Sequence, residues 1–153
     1  MSERRAGRGN ADGGTVMVIG VFDLFHRGHV EFLRRAASFG EHMVVVVNGD
    51  DMVSRYKRRP VFSEGDRLEI VKALKFVDDA IVAHDFDVKP FVERFRPAVI
   101  VHGDDWPRES YLGQIRMTEQ DLVKYGVRLE FIPYYAGATT SEIIRTIQGN
   151  GRA

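Results

Sequence analysis

Two apolar runs constrain this chain more than anything else in it: Met43–Val47 (MVVVV) and Ala98–His102 (AVIVH). Near-continuous β-branched residues suit strands covered on both faces, the pattern of a parallel sheet held between helices. Three shorter runs, Thr15–Ile19, Ala80–Ala83 and Arg128–Pro133, read as further strands. Helical patterns fall between them. Gly28–Phe39 sets Phe32, Leu33, Ala36 and Ala37 on one face, with Gly40 placed as the residue that ends the helix. Ser63 to Asp66 resembles a capping box ahead of Leu68, Val71 and Leu74. Asp87 precedes a short helix with Pro90 in its first turn, which stops before Pro97. One helix is expected within Ser110–Tyr125, ended by Gly126, and a last one over Ser141–Ile147, capped by Thr139 or Thr140. Strand–helix alternation of this kind predicts one Rossmann-like α/β domain over residues 15–150, a five-stranded parallel sheet with helices on both faces.

Composition narrows the function classes. A chain of 153 residues, 44% hydrophobic, fills one domain. Its 22 basic and 22 acidic side chains cancel, which removes the charge footprint of a nucleic-acid binder. The absence of cysteine excludes disulfides, zinc–thiolate sites and thiol nucleophiles. No apolar run approaches the roughly 20 residues of a membrane span, so no membrane partner is expected. Residues 1–14, MSERRAGRGNADGG, lack the apolar core of a signal peptide and read as a disordered tail on a cytoplasmic protein.

Open parallel sheets bind ligands beyond the carboxyl ends of their strands. That directs attention to Gly20–His29, Asn48–Arg59, Gly103–Trp106 and Tyr134–Ser141. In the first segment, Gly20 ends a strand where a ligand needs close backbone approach, and a helix begins a few residues on. His26 and His29 lie three apart across that helix start, so both imidazoles can aim at one spot. Gly28 between them leaves room for a phosphate beside the first-turn N–H groups. Capping or surface roles are the plainer reading of two nearby histidines. A zinc pair is a further alternative, but no third ligand stands nearby.

Gly20-Val21-Phe22-Asp23-Leu24-Phe25-His26-Arg27-Gly28-His29 resembles the G-T-F-D-x-x-H-x-G-H signature of the cytidylyltransferase-like nucleotidyltransferases. The likeness runs from Val16 to Ile147 and is strongest towards the glycerol-3-phosphate cytidylyltransferases. It includes Arg67 in GDRLEIVKAL, Val77-Asp78-Asp79 before the third strand, and Gly103-Asp104-Asp105-Trp106 after the fourth.

The resemblance implies that an acceptor phosphate attacks the α-phosphorus of a nucleoside triphosphate and pyrophosphate leaves in line. His26 and His29 would then stabilise the transition state. Lys57 and Arg58, within the run Arg55-Tyr56-Lys57-Arg58-Arg59, would clamp phosphates, with the choice among Lys57, Arg58 and Arg59 left open, and Arg67 would add another cation. A solvated basic surface is the plainer reading of that run. The backbone of Val21 and Phe22 would contact the nucleotide, with Asp23 steadying the turn. Gly103, Asp104, Asp105 and Trp106 would lie near base and ribose, although Trp106 could equally be a core residue. Magnesium would be held mainly by the phosphates, and no residue is assigned to a metal. The last motif departs from the family's R-T-x-G-I-S: here it is Tyr134-Tyr135-Ala136-Gly137-Ala138-Thr139-Thr140-Ser141. Thr139, Thr140 and Ser141 can still hold β- and γ-phosphates at a helix start. The arginine is gone, and Arg145 is the cation available one turn on.

Three functions follow. The first is transfer of CMP from CTP to a small anionic acceptor, such as glycerol 3-phosphate or a short phosphonate. The acceptor is expected to be compact, because four cations converge at one strand end and no apolar segment is spare. The second is an adenylyltransferase using ATP on a sugar phosphate or FMN, which RPVFSEGDR partly resembles. The third is a nucleotide sensor without activity. A symmetric homodimer is expected from the resemblance, with Phe22, Phe25 and Phe39 as aromatic surface around the first helix.

Overall fold

The computed structural model describes residues 13–135, 137 and 139–150, and the first twelve residues of the expected tail lie outside them. Five strands form the sheet: β1 (Thr15–Gly20), β2 (His42–Asn48), β3 (Asp79–Ala83), β4 (Val99–Gly103) and β5 (Arg128–Ile132). They run parallel in the order β3-β2-β1-β4-β5. Among the described residues the helices are α1 (Arg27–Ala37), α2 (Asp50–Val53), α3 (Glu64–Lys72), α4 (Lys89–Phe95), α5 (Arg108–Gln114), α6 (Glu119–Tyr125) and α7 (Thr140–Asn150). The predicted Rossmann-like architecture is the one observed.

Strand alternation divides the interior into two cores. Val16, Val18, Val45, Val47, Val99 and Val101 face one side and pack on Phe32, Leu33 and Ala36 of α1 and Val71 of α3. Met17, Ile19, Val46 and Ile100 face the other and meet α2, α4, α5 and α6. Val44 to Val47 are wholly buried, which accounts for the unbroken run, since neither face of β2 meets water. Each such valine contributes about 1.5 kcal/mol or more of hydrophobic free energy.

Three local expectations are corrected. The stretch 108–125 holds two helices, α5 and α6. Arg116 takes the left-handed region (φ 60°), and Thr118 and Asp121 form a capping box that starts α6 afresh. The break turns both Ile115 and Met117 into the core, which an unbroken helix could not do. Gly40 does not end α1, whose cap is Ser38. Gly40 is instead a close-approach residue, because a Cβ there would strike the carbonyl of Gly14 and Val16. Ser63 caps α3, its hydroxyl accepting from Asp66 N–H at 3.2 Å, which is one half of the expected capping box. The aromatic surface around α1 is smaller than expected. Phe22 is buried, and Phe25 and Phe39 pack half-buried against the α1 core. No helix among the described residues is long and apolar enough to cross a membrane.

Candidate active site

A cleft of about 680 Å³ opens at the carboxyl ends of the strands, where β1 separates β2 from β4. That is the switch point at which sheets of this order take their ligands. The turn after β1 is wound through two left-handed residues, Phe22 (φ 55°) and Leu24 (φ 48°). Each is a conformation L side chains resist, at about 1 kcal/mol or more. Asp23 between them holds the turn. Its buried carboxylate accepts N–H bonds from Leu24 (3.1 Å), Val61 (2.7 Å) and Phe62 (2.9 Å) and from the Arg58 guanidinium (3.1 Å). Burial pushes this carboxyl up, but the bonds from Phe62, Val61 and Arg58 outweigh it and hold the group below the usual range. Gly20 is required because the Phe22 ring lies against its α-carbon, where a side chain would collide.

The two histidines form a reciprocal cap on α1. His26 Nδ1 accepts from Gly28 N–H at 3.0 Å, and His29 Nδ1 accepts from His26 N–H at 3.1 Å. An Nδ1 that accepts carries no proton, so the ring proton of each neutral imidazole sits on Nε2. His26 Nε2 lies 3.4 Å from Thr140 Oγ1, whose hydroxyl donates to the Asp23 carbonyl at 3.1 Å. The ring centroids are 4.0 Å apart, and His29 also stacks on Phe25. Burial lowers the His26 pKa; burial and then His26 itself lower that of His29 to about 4. Both rings are therefore neutral donors at neutral pH. Capping by Nδ1 leaves each Nε2–H to the cleft, so the two readings of the sequence do not exclude each other. Gly28 lines the cleft, but its N–H serves His26, so imidazole rather than that amide is the donor here.

The cations separate. Lys57 and Arg58 line the cleft. Protein crowding, and then Arg58, hold the Lys57 ammonium below the ordinary lysine range although it reaches the surface. Arg59 turns to Asp51 (3.2 Å) and Asp50 (3.9 Å), and neither it nor Arg55 lines the cleft. The convergence of four cations is thus a convergence of two, one of them paired with Asp23. Arg67 is wholly buried and outside the cleft lining. It donates to the carbonyls of Phe62 (3.0 Å), Val21 (2.8 Å) and Asn48 (2.7 Å) and to Asp50 (2.7 Å). Here it is a clamp on the strand-end loops, not a cation presented to phosphate.

Of the turn after β4, Asp105 and Trp106 line the cleft, while Gly103 and Asp104 do not. Asp104 N–H donates to the Ile132 carbonyl and extends the β4–β5 pairing. Gly103 leaves the space that the Tyr134 ring fills. Tyr134 stands where the family pattern has arginine; it stacks on Phe32, and burial together with Asp105 pushes its phenol pKa up. Trp106 is half-buried, its edge against His102 and Tyr111, so its core and cleft readings both hold. At α7, Thr139 is the cap: its hydroxyl accepts from Glu142 N–H and its own N–H donates to the Glu142 carboxylate. Thr139, Thr140 and Ser141 all line the cleft, beside Gly20, Val21, Phe22 and Asp23. Arg145 does not. Residues that sequence reasoning missed are Asn48, Tyr56, Phe86, His102 and Tyr111, all on the cleft wall. Asn48 and Tyr56 fell in a segment already marked by the strand-end rule; Tyr111, on α5, carried no signal.

Two neutral imidazole donors and two cations thus face one cleft at the switch point of the sheet. Residues 17–146 match the cytidylyltransferase-like family, and the chain belongs to it. The FAD synthase of Aciduliprofundum boonei is 38% identical over 117 residues, 76% of this chain and 75% of that protein. The bifunctional protein HldE of Geobacter metallireducens is 35% identical over 135 residues, which are 86% of this chain. The chain spans only 26% of that protein's length. A crystal structure of a lipopolysaccharide core biosynthesis protein from Thermoplasma volcanium superposes with a TM-score of 0.68 at 31% identity. The match covers 80% of this chain and 99% of that one.

Proposed function

We propose that this nucleotidyltransferase transfers AMP from ATP to a phosphate monoester and releases pyrophosphate. The observation that carries nucleotidyl transfer is the paired histidine cap, which fixes both Nε2–H groups as donors without a catalytic proton transfer. The choice of ATP is supported by the FAD synthase relatives, from Aciduliprofundum boonei and from Pyrococcus horikoshii, which is 33% identical over 134 residues. These favour the adenylyl reading over the cytidylyl one.

In this reading a phosphate oxygen of the acceptor attacks the α-phosphorus, and the bond from that phosphorus to the bridging oxygen breaks in line. The acceptor is already an anion, so no base is needed. The imidazole donors and the Lys57 ammonium meet charge that grows on the reacting phosphoryl group, a role in which one fixed donor is worth roughly 10²-fold or more. Thr139, Thr140 and Ser141, at the start of α7, hold the departing phosphates. The cleft's phosphate side is rich in donors, and Asp23 there is already engaged. That side offers donors and cations rather than metal ligands, so a magnesium ion would be held by the triphosphate itself, whose charge it would offset.

The test is pyrophosphate release with ATP and with CTP over a panel of phosphate acceptors. A kcat/KM for ATP at least about tenfold above that for CTP, about 1.4 kcal/mol, is expected. The reverse preference would restore the cytidylyl reading.

A further inference from the structure

The cleft continues onto the sheet face opposite α1, into a chamber whose wall residues have no part in the transfer step proposed above. Alternation places it: Asn48 follows Val46, and His102 follows Ile100, onto the face that packs α2, α4 and α5. Two aromatic pairs build its walls. Tyr56 and Phe86, from the β2 and β3 side, meet edge to face at 5.6 Å. His102 and Tyr111, from β4 and α5, stack at 4.1 Å with an interplanar angle of 17°. All four line the same cleft as His26 and His29.

On this wall two buried polar atoms lack a partner among the described residues: Asn48 Oδ1 and the Tyr111 hydroxyl. Asn48 is 8% exposed and Tyr111 2%. Buried polar atoms in native proteins are nearly always bonded, and leaving one unpaired costs free energy. Unpaired atoms on a cleft wall are the mark of a ligand that pairs them. Asn48 Oδ1 only accepts, so the ligand must bring an N–H or O–H to it; the phenol can donate or accept.

We propose that this chamber seats the far end of the acceptor, that this end is a flat conjugated ring, and that Asn48 and Tyr111 bond its polar edge. The inference rests on the adenylyl-transfer reading only for what happens at the acceptor's phosphate. It chooses between the two acceptor classes that reading allows. A sugar carries a hydroxyl on nearly every carbon, and the four rings of these walls offer it faces rather than hydrogen bonds. A flat ring lays its faces on the aromatic walls and needs partners only at its edge.

Riboflavin 5′-phosphate is the probe. Its fluorescence should be quenched on binding to the protein without nucleotide. With ATP, its kcat/KM should exceed those of ribose 5-phosphate, a hexose 1-phosphate and glycerol 3-phosphate by about tenfold or more. Tyr111→Phe and Asn48→Leu should each raise its KM about threefold or more, the scale of one hydrogen bond, while the KM for ATP holds. Tyr111→Phe removes a hydroxyl that has no partner among the described residues, so it should melt no lower than the parent, which separates lost binding from lost fold. Preference for a sugar phosphate, or an unchanged KM in both variants, would overturn the inference and leave adenylyl transfer standing. Use of CTP with riboflavin 5′-phosphate as the preferred acceptor would do the opposite.

Discussion

In the proposed reaction His26 and His29 would each do two jobs with one ring, and substitutions can separate them. Alanine at either position removes a capping acceptor, which costs about 1 kcal/mol, together with the Nε2 donor. Asparagine keeps an oxygen able to cap but withdraws the donor from the cleft. His26→Asn and His29→Asn should therefore melt close to the parent yet turn over about 10²-fold more slowly. An asparagine variant that keeps its rate would show the imidazoles to be caps alone. Acid should reveal the same rings. His29 and His102 titrate at about 4 in the folded chain, against an ordinary 6.5, because burial disfavours their charged forms. Between those values the unfolded chain binds more protons, so their stabilisation is present above pH 6.5 and is lost as pH falls towards 4. The melting temperature of the parent should drop between pH 7 and pH 5, and less steeply in His29→Asn. A flat profile would mean that the folded imidazoles are not held neutral.

At the level of elements, loops that share buried bonds act together. Asp23 ties the β1 turn to the segment at Val61 and Phe62, and Arg67 ties that segment to Val21, Asn48 and Asp50. Arg67→Met would leave the Asp50 carboxylate and three carbonyls without their donor. It should lower stability by about 3 kcal/mol or more, read as a lower urea midpoint. A variant that melts like the parent but has a raised KM for ATP would return Arg67 to the phosphate role its motif suggests. The sequence could not separate those roles, because a buried arginine and a phosphate-binding one look alike in a string of letters. Strands and caps were more legible. MVVVV declared a strand buried on both faces, and Ser63 and Thr139 stood where caps belong. The α5–α6 break was legible only in part: Thr118 and Asp121 have the spacing of a capping box, but Arg116 gives no hint of its left-handed backbone. The four-residue α2 was too short to leave a periodic signal.

For the whole molecule, sheet order explains how much of the site was visible from sequence. Parallel strands bring their carboxyl ends to one edge, so segments far apart in the chain, Gly20–His29, Lys57–Arg58, Asp105–Trp106 and Thr139–Ser141, converge without any contact being known beforehand. The chamber wall from α5 was invisible because it comes from a helix flank. A two-fold homodimer stays a proposal from family resemblance, since the aromatics around α1 are packed within their own chain. Sedimentation at micromolar concentration should give twice the chain mass of 17.4 kDa, and a single-chain species would refute it. The central claim is that a nucleotidyl group moves. It is tested most directly by following ATP labelled at the α- or the γ-phosphorus through one turnover with a phosphate acceptor. The account predicts α-label in the product and γ-label in pyrophosphate. Label from the γ-phosphorus in the product, or release of orthophosphate in place of pyrophosphate, would contradict it.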